Sequence, residues 1–324
     1  MTDAVCLRPE ADFFRVGVTP PRTLDIAYRA PDDPGLGALL REARALVIPA
    51  VGPRLEAGLF EGTRIALVQV TGAGVDRLDR EALVTRGIPV ANVPGGSNAA
   101  VAEYAVTCAA ALLRRFAWSS REILQGNYAP FRARLIADNL GGLEDLLVGI
   151  VGFGTIGRAV AEAFSRAGAR IAFYDPAWRE GGSTGGLDAA PMPLADLLAE
   201  ADVLSLHVPL LPETRNLIGA EELARMRPAA ILVNAARGGI VDEAALVEAL
   251  RAGKLGGAAV DVYSTEPPGA DNPLLQLDGE AANRVILTPH IAGVTRQSAG
   301  HLFRAAWENV TRVLAGGSPL YRVY

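Results

Sequence analysis

The chain holds three histidines, His207, His290 and His301. His290 stands in LTPHIAG, directly after the apolar run RVILT, which reads as a strand. Ligands of open α/β sheets bind beyond the carboxyl ends of strands, and an imidazole there is suited to exchanging a proton near neutral pH. Arg237, in VNAARGGIVDE, follows the strand-like AAILVNAA; Glu266, in DVYSTEPP, follows LGGAAVDVY. A guanidinium can grip a carboxylate through two parallel hydrogen bonds. Three polar groups at three strand ends on one sheet edge can converge. Taken singly, a strand-end arginine is ordinarily a solvated surface residue, and an acid before two prolines an ordinary loop acid.

A second set of residues serves a different purpose. GIVGFGTIGRAVAEAFSRAGARIAFYDP, from Gly149 to Pro176, carries Gly152, Gly154 and Gly157 at GxGxxG spacing. LLVGIVGF before them is a continuous apolar run with Val and Ile, as in a strand buried on both faces. Arg158–Ala169 has helical periodicity and closes near Gly168, and Arg170–Asp175 is a second strand. In such a strand–turn–helix–strand unit the first glycine permits the tight turn. The second lets a pyrophosphate approach the backbone, and the third lets helix and strand pack closely. Thr155, Ile156 and Arg158 open the helix, whose N-terminus offers free N–H groups and partial positive charge to phosphates. Asp175, 18 residues after Gly157, stands where a carboxylate binds a ribose diol, or else is a turn acid before Pro176. As the ribose acid it would repel a 2′-phosphate, and no arginine follows directly, so the unit favours NAD over NADP.

The elements that position these residues alternate throughout. Ala201–Pro209, Ala229–Ala236, Leu255–Tyr263 and Arg284–His290 read as further strands, with a helix over Asp242–Lys254. The long helical segment Ala99–Gly126 opens this part, and EGGSTGG (Glu180–Gly186) reads as an exposed loop. Before it, Ala45–Ala50, Arg64–Val70 and Ile88–Val93 look like short parallel strands of a smaller domain. The C-terminal helix His301–Gly317 follows after the larger domain has closed, so it is expected to pack on the smaller one. The fold class is α/β: a Rossmann-type, doubly wound parallel-sheet NAD domain (98–292) inserted into a smaller flavodoxin-like α/β substrate domain (1–97 and 293–324).

Composition excludes several classes. The chain has 324 residues, enough for two domains. Its 31 basic and 36 acidic residues leave a net charge of -5, so neither nucleic acid nor an anionic membrane is expected as partner. Two cysteines make no disulfide framework and fit a reducing, cytoplasmic compartment. No signal peptide and no membrane-spanning apolar stretch are read, and no metal is expected.

Together these motifs resemble the D-isomer-specific 2-hydroxyacid dehydrogenases, the family of D-lactate, glycerate, hydroxypyruvate and phosphoglycerate dehydrogenases. VTGAGVDRLD and NVPGGSNAAVAEYAV are similar to its substrate-loop and interdomain-helix motifs. GIVGFGTIG resembles its cofactor turn, and SLHVPLLPETRNLI its adenine-side strand. VNAARGGIVDEAALVEAL, AAVDVYSTEPP and TPHIAGVT are similar to the motifs that carry its Arg, Glu and His. The resemblance implies that Arg237 grips the substrate carboxylate, His290 exchanges the proton of the carbonyl oxygen, and Glu266 hydrogen-bonds and orients the imidazole. It implies that backbone N–H groups at Gly72, Ala73 and Gly74 hold the other side of the carboxylate. His207, Val208, Pro209 and Thr214 would line the adenine side of NAD; Ala235, Ala236, Asp261 and Gly293 would lie at the nicotinamide end, with Asp261 on the carboxamide. His301 is taken as an ordinary helix residue.

The implied partners are NAD, a small 2-oxoacid or 2-hydroxyacid, and a second copy of the chain, as a homodimer through the NAD domain. Relatives that take phosphorylated hydroxyacids carry an arginine where this chain has Pro49, which argues against phosphoglycerate. Glu266 argues against formate dehydrogenase, whose relatives carry an amide there. The rival readings are an NADH-sensing corepressor-like binding protein and a phosphite dehydrogenase. If Asp175 sets cofactor choice, Asp175→Ala narrows the preference for NADH over NADPH at least about tenfold, on the order of 1.4 kcal/mol; an unchanged ratio of the two kcat/KM values would refute the assignment.

Overall fold

The computed structural model describes residues 2–179 and 181–324. By its internal contacts the chain divides into two compact units, Met1–Ser97 with Val294–Tyr324, and Asn98–Gly293.

The first unit is built on five parallel strands, β1 (Ala4–Cys6), β2 (Ile26–Tyr28), β3 (Ala45–Ile48), β4 (Leu67–Val70) and β5 (Val90–Ala91), in the order β2-β1-β3-β4-β5. This 2-1-3-4-5 order is the flavodoxin-like one. Strand side chains alternate between faces, and both faces are covered. Val5, Leu46, Ile48, Val68 and Val70 pack against Leu36 and Leu40 of α2 (Leu36–Glu42) and Leu83 of α3 (Arg80–Thr85). On the opposite face Ala4, Cys6, Ala45, Val47 and Leu67 meet Phe13 of α1 (Glu10–Arg15) and Leu302, Phe303, Ala306, Trp307 and Val310 of the C-terminal helix Arg296–Leu314. Each fully buried Leu, Ile, Val or Phe contributes about 1.5–3 kcal/mol. The C-terminal helix starts five residues before its expected first turn at His301, because Thr295 Oγ1 accepts from Ser298 N and Ser298 Oγ accepts from Thr295 N, a reciprocal cap. Buried Asn309 ties this helix to β4 by donating to Gln69 Oε1 at 2.6 Å. Strands β1 and β2, three residues each, show too little pattern to be read from sequence.

The second unit has seven parallel strands: β6 (Leu147–Val151), β7 (Arg170–Tyr174), β8 (Ala189–Pro191), β9 (Val203–Leu206), β10 (Ile231–Asn234), β11 (Gly257–Val260) and β12 (Val285–Leu287). Their order is β12-β11-β10-β9-β6-β7-β8. The direction of progression reverses at β6, with β7 on one side and β9 on the other, which is the topological switch point of a doubly wound sheet. One face packs on α4 (Asn98–Leu113) and, beyond α5 (Phe116–Leu124) and α6 (Tyr128–Ala137), on α7 (Thr155–Arg166). The other packs on α8 (Leu194–Glu200), α9 (Ala220–Arg225) and α10 (Glu243–Arg251). A short α11 (Gly279–Ala282) precedes β12.

The expected single helix over Ala99–Gly126 is broken. Arg115 takes a left-handed backbone, φ 52°, between α4 and α5. Its guanidinium pairs with Asp138 and lies 5.3 Å from the Trp118 ring, contacts that offset the local strain. Of the expected Glu180–Gly186 loop, Glu180 lies outside the described residues, and Gly181–Gly186 runs without helix or strand. Among the described residues no helix is long and apolar enough to cross a membrane.

Candidate active site

The switch point is shaped by the glycines. Gly152 leaves β6 with φ 91°, and a Cβ there would lie 2.6 Å from His207 O at the end of β9. A Cβ at Gly157 would lie 1.9 Å from Gly152 O, so helix α7 can approach the turn only without one. Gly154, the N-cap of α7, has open space where its Cβ would be. The amides of Thr155 and Ile156 open α7 beyond it, with no preceding helical carbonyl to bond. Asp175, past β7, accepts from Phe153 N and from Ala177 N, both at 2.8 Å. Its carboxylate thus braces the turn while using two of about four acceptor positions. This open, donor-rich turn fits a dinucleotide pyrophosphate, with an acid beside it for a ribose.

Arg158 turns back onto the protein. It donates to Phe153 O at 3.1 Å and Ser183 O at 2.7 Å, and lies 4.8 Å from the Phe153 ring centroid. Val208 and Pro209 continue from β9, and Thr214 closes the following loop by donating to Pro209 O at 2.6 Å and accepting from Leu211 N at 2.7 Å. His207 bonds through Nε2 to the buried Ser205 Oγ at 2.8 Å, and burial pushes its pKa down to about 3.

The other strand ends of this sheet carry the chemistry-bearing side chains. Arg237 follows β10 in a turn stapled by buried Asn234, which accepts from Ala236 N and donates to Arg237 O, both at 3.2 Å. Arg237 Nη1 donates to Ala236 O at 2.7 Å. A Cβ at Gly238 would lie 1.8 Å from Tyr263 O, so this glycine lets the loop after β10 press against the loop after β11. There Glu266 Oε1 accepts from Tyr263 N at 3.1 Å, and Oε2 meets His290 Nδ1 at 2.8 Å. Both side chains remain partly exposed.

His290 itself has a left-handed backbone, φ 56°, at a cost of roughly 1–2 kcal/mol for a residue with a Cβ. Asp261 holds it there. Its carbonyl accepts from His290 N at 2.8 Å, Oδ1 from Ile291 N at 2.8 Å and Oδ2 from Ala292 N at 2.7 Å. Hydrogen bonds to a charged group contribute about 1.5–3 kcal/mol each, so the clamp outweighs the strain. The resemblance assigns Asp261 to the cofactor carboxamide; the structure buries it completely and directs its carboxylate to the His290 turn and Thr288. Ala235 and Ala236 lie in the Arg237 turn, and Gly293 follows the clamped segment. Asn234, Gly238 and Thr288 were not singled out from sequence: their importance lies in contacts across loops, which no local pattern announces.

In the first unit, Gly72, Ala73 and Gly74 follow β4. A Cβ at Gly72 would lie 2.8 Å from Ala50 Cβ, and Asn92 Nδ2 donates to Ala73 O at 2.7 Å. Arg77 is buried beneath the adjoining loop and donates to Pro49 O at 2.9 Å, Val51 O at 3.3 Å and Pro53 O at 2.8 Å. His301 lies exposed on the C-terminal helix.

Sheet order and glycine turn define a dinucleotide-binding α/β protein. The model of the D-isomer specific 2-hydroxyacid dehydrogenase NAD binding domain matches residues 106–292. The chain is 37% identical over 253 residues to a D-3-phosphoglycerate dehydrogenase of Archaeoglobus fulgidus, covering 78% of this chain and 46% of that one. It is 35% identical over 279–283 residue spans to further relatives, among them the glyoxylate reductase of Korarchaeum cryptofilum, where 283 residues align over 86% of this chain and 82% of that one. The structure superposes with a TM-score of 0.77 on the NAD-complexed D-isomer specific 2-hydroxyacid dehydrogenase of Lactobacillus delbrueckii ssp. bulgaricus, at 26% identity and full coverage (100%) of both chains. The chain therefore belongs to the D-isomer specific 2-hydroxyacid dehydrogenase family, and its cofactor is NAD. It spans about half the length of the D-3-phosphoglycerate dehydrogenases it matches.

The depressed pKa of His207 has a consequence for stability. An unfolded chain takes up a proton on this residue below the ordinary value of 6.5, whereas the folded chain does not until about 3. Folding stability is therefore lost as pH falls from 6.5 toward 3, by up to about 1.4 kcal/mol per pH unit from this group. In urea unfolding at pH 7, 5.5 and 4.5, His207→Gln should lose less stability on acidification than the wild type. Parallel losses would show that His207 is not held neutral.

Proposed function

We propose that this protein is an NAD-dependent oxidoreductase that interconverts a 2-oxoacid and a D-2-hydroxyacid. The observation that carries the reading is the 2.8 Å pairing of His290 Nδ1 with Glu266 Oε2 on the sheet that also bears the Gly152–Gly157 turn. Bound NAD supplies the hydride acceptor or, reduced, the hydride donor. Gly152, Gly154, Thr155, Ile156 and Gly157 hold its pyrophosphate, and Asp175 a ribose. Val208, Pro209 and Thr214, with the backbone of His207, line its adenine side; Ala235, Ala236 and Gly293 line the nicotinamide end. Arg237 binds the substrate carboxylate as a planar, permanently charged fork. Glu266 fixes the imidazole through Nδ1, which leaves Nε2 to give a proton to the carbonyl oxygen in reduction and take it from the hydroxyl in oxidation.

Pro49 carries no charge, and Arg77 is turned to the loop carbonyls around it, which supports a small non-phosphorylated substrate. A cytoplasmic setting is supported by two free, buried cysteines. NADH oxidation should be seen with at least one of glyoxylate, hydroxypyruvate, pyruvate or a bulkier 2-oxoacid. His290→Ala should lower kcat by roughly two to four orders of magnitude with NADH binding retained. Glu266→Gln, which keeps a hydrogen-bonding group but not the charge, should fall between it and the wild type. Absence of turnover on every 2-oxoacid, or near-normal turnover by His290→Ala, would overturn the proposal.

The same reading includes a homodimer through the NAD-binding unit. Phe116, Ile123 and Leu124 on α5 and Tyr128 and Ile136 on α6 are exposed, Leu124 to 86%. Apolar side chains grouped on two successive helices are the usual surface of an oligomer contact. Sedimentation should give a dimer for the wild type and a monomer for Leu124→Asp; a monomeric wild type, or a variant that stays dimeric, would rule this surface out.

A further inference from the structure

Asp261 is itself held from outside the His290 turn. Thr288 donates its hydroxyl hydrogen to Asp261 Oδ1 at 2.5 Å; an ionised carboxylate has none to return. A hydroxyl carries one hydrogen, so in the 2.7 Å contact between Thr288 Oγ1 and the Tyr104 hydroxyl, Tyr104 is the donor. Tyr104 stands on α4, and burial pushes its phenol up, which keeps that hydrogen in place. Tyr263 adds a second restraint, its hydroxyl donating to Thr288 O at 3.1 Å. A directional chain of hydrogen bonds thus leads from α4 through Thr288 to the buried carboxylate, and from its two oxygens to the amides of Ile291 and Ala292.

We propose that Tyr104 and Thr288 are positioning residues for His290, acting through Asp261 to hold the imidazole in the left-handed turn that presents it to Glu266. Without the Thr288 hydroxyl, the carboxylate keeps only the two amides of the segment it is meant to hold, Ile291 on Oδ1 and Ala292 on Oδ2, and loses the restraint that comes from outside that segment. The clamp on Ile291 and Ala292 then loosens, and the backbone of His290 can leave a conformation that residues with a Cβ otherwise avoid. Without the Tyr104 hydroxyl, Thr288 keeps its bond to Asp261 but loses the partner that aims it, so the effect is smaller. The proposal rests on the reading of His290 as the proton-exchanging group only for its consequence in turnover; the positioning itself is visible in the ring.

With three histidines in the chain, the ring signals of His290 in a ¹⁵N–¹H spectrum are assigned by their loss in His290→Ala. The wild type should show one His290 state, protonated at Nδ1 toward Glu266. Thr288→Val should broaden or split that signal and lower kcat about tenfold while the Kd for NADH is unchanged. Thr288→Ser, which keeps the hydroxyl, should restore both. Tyr104→Phe should disturb the same signal with a loss of about threefold, and it decides the matter should Thr288→Val fail to fold. Unchanged His290 signals in Thr288→Val and Tyr104→Phe would overturn the proposal, as would undiminished kcat in an active enzyme, or a Thr288→Ser variant that behaves like Thr288→Val. Disturbed ring signals in a protein without turnover on any 2-oxoacid would overturn the dehydrogenase reading and leave the positioning role standing.

Discussion

The His290 turn, on the β11–β12 edge of the sheet, depends on one buried carboxylate. Asp261 is wholly removed from solvent at the end of β11, and it accepts from Thr288, Ile291 and Ala292 while its carbonyl accepts from His290 N. A buried charge is tolerable only when hydrogen bonds replace its hydration, and here those bonds come from the segment that must be held still. The cost of burying the carboxylate and the strain at His290 therefore belong to one arrangement: each persists because of the other. A charged anchor also holds geometry more tightly than apolar packing, since small displacements break charge-assisted bonds.

The two glycine contacts act in the same spirit by removing atoms. At Gly157 and Gly238 a Cβ would lie within 2 Å of a carbonyl oxygen, 1.9 Å and 1.8 Å respectively. One contact seats α7 on the dinucleotide turn; the other presses the Arg237 loop against the Glu266 loop. Close backbone approach of this kind brings groups from distant parts of the chain to one edge without long side chains, whose rotamer freedom would blur their placement.

What the sequence by itself determined is the class of fold and the types of residue at the strand ends. Continuous apolar runs separated by helical periodicity demand parallel strands covered on both sides, and the GxGxxG spacing with Asp175 admits few structures other than a dinucleotide-binding unit. His290, Glu266 and Arg237 were legible as strand-end residues because their strands were. The two short strands at the start were not, being too brief for a period to show, and the break at Arg115 was hidden inside an uninterrupted helical pattern.

Tertiary structure alone decided how those residues are held. That His290 meets Glu266 at 2.8 Å, that Asp261 faces the His290 turn, that Arg158 turns back to Phe153 and Ser183, and that Tyr104 reaches Thr288 from 184 residues away are contacts across loops and layers. Local periodicity reports which face of an element is buried; it carries no information on which side chain of another element will fill the space opposite. That is settled only when the sheet order brings the strand ends side by side, and the left-handed turn at His290 then persists because a buried charge from the neighbouring strand outweighs its strain.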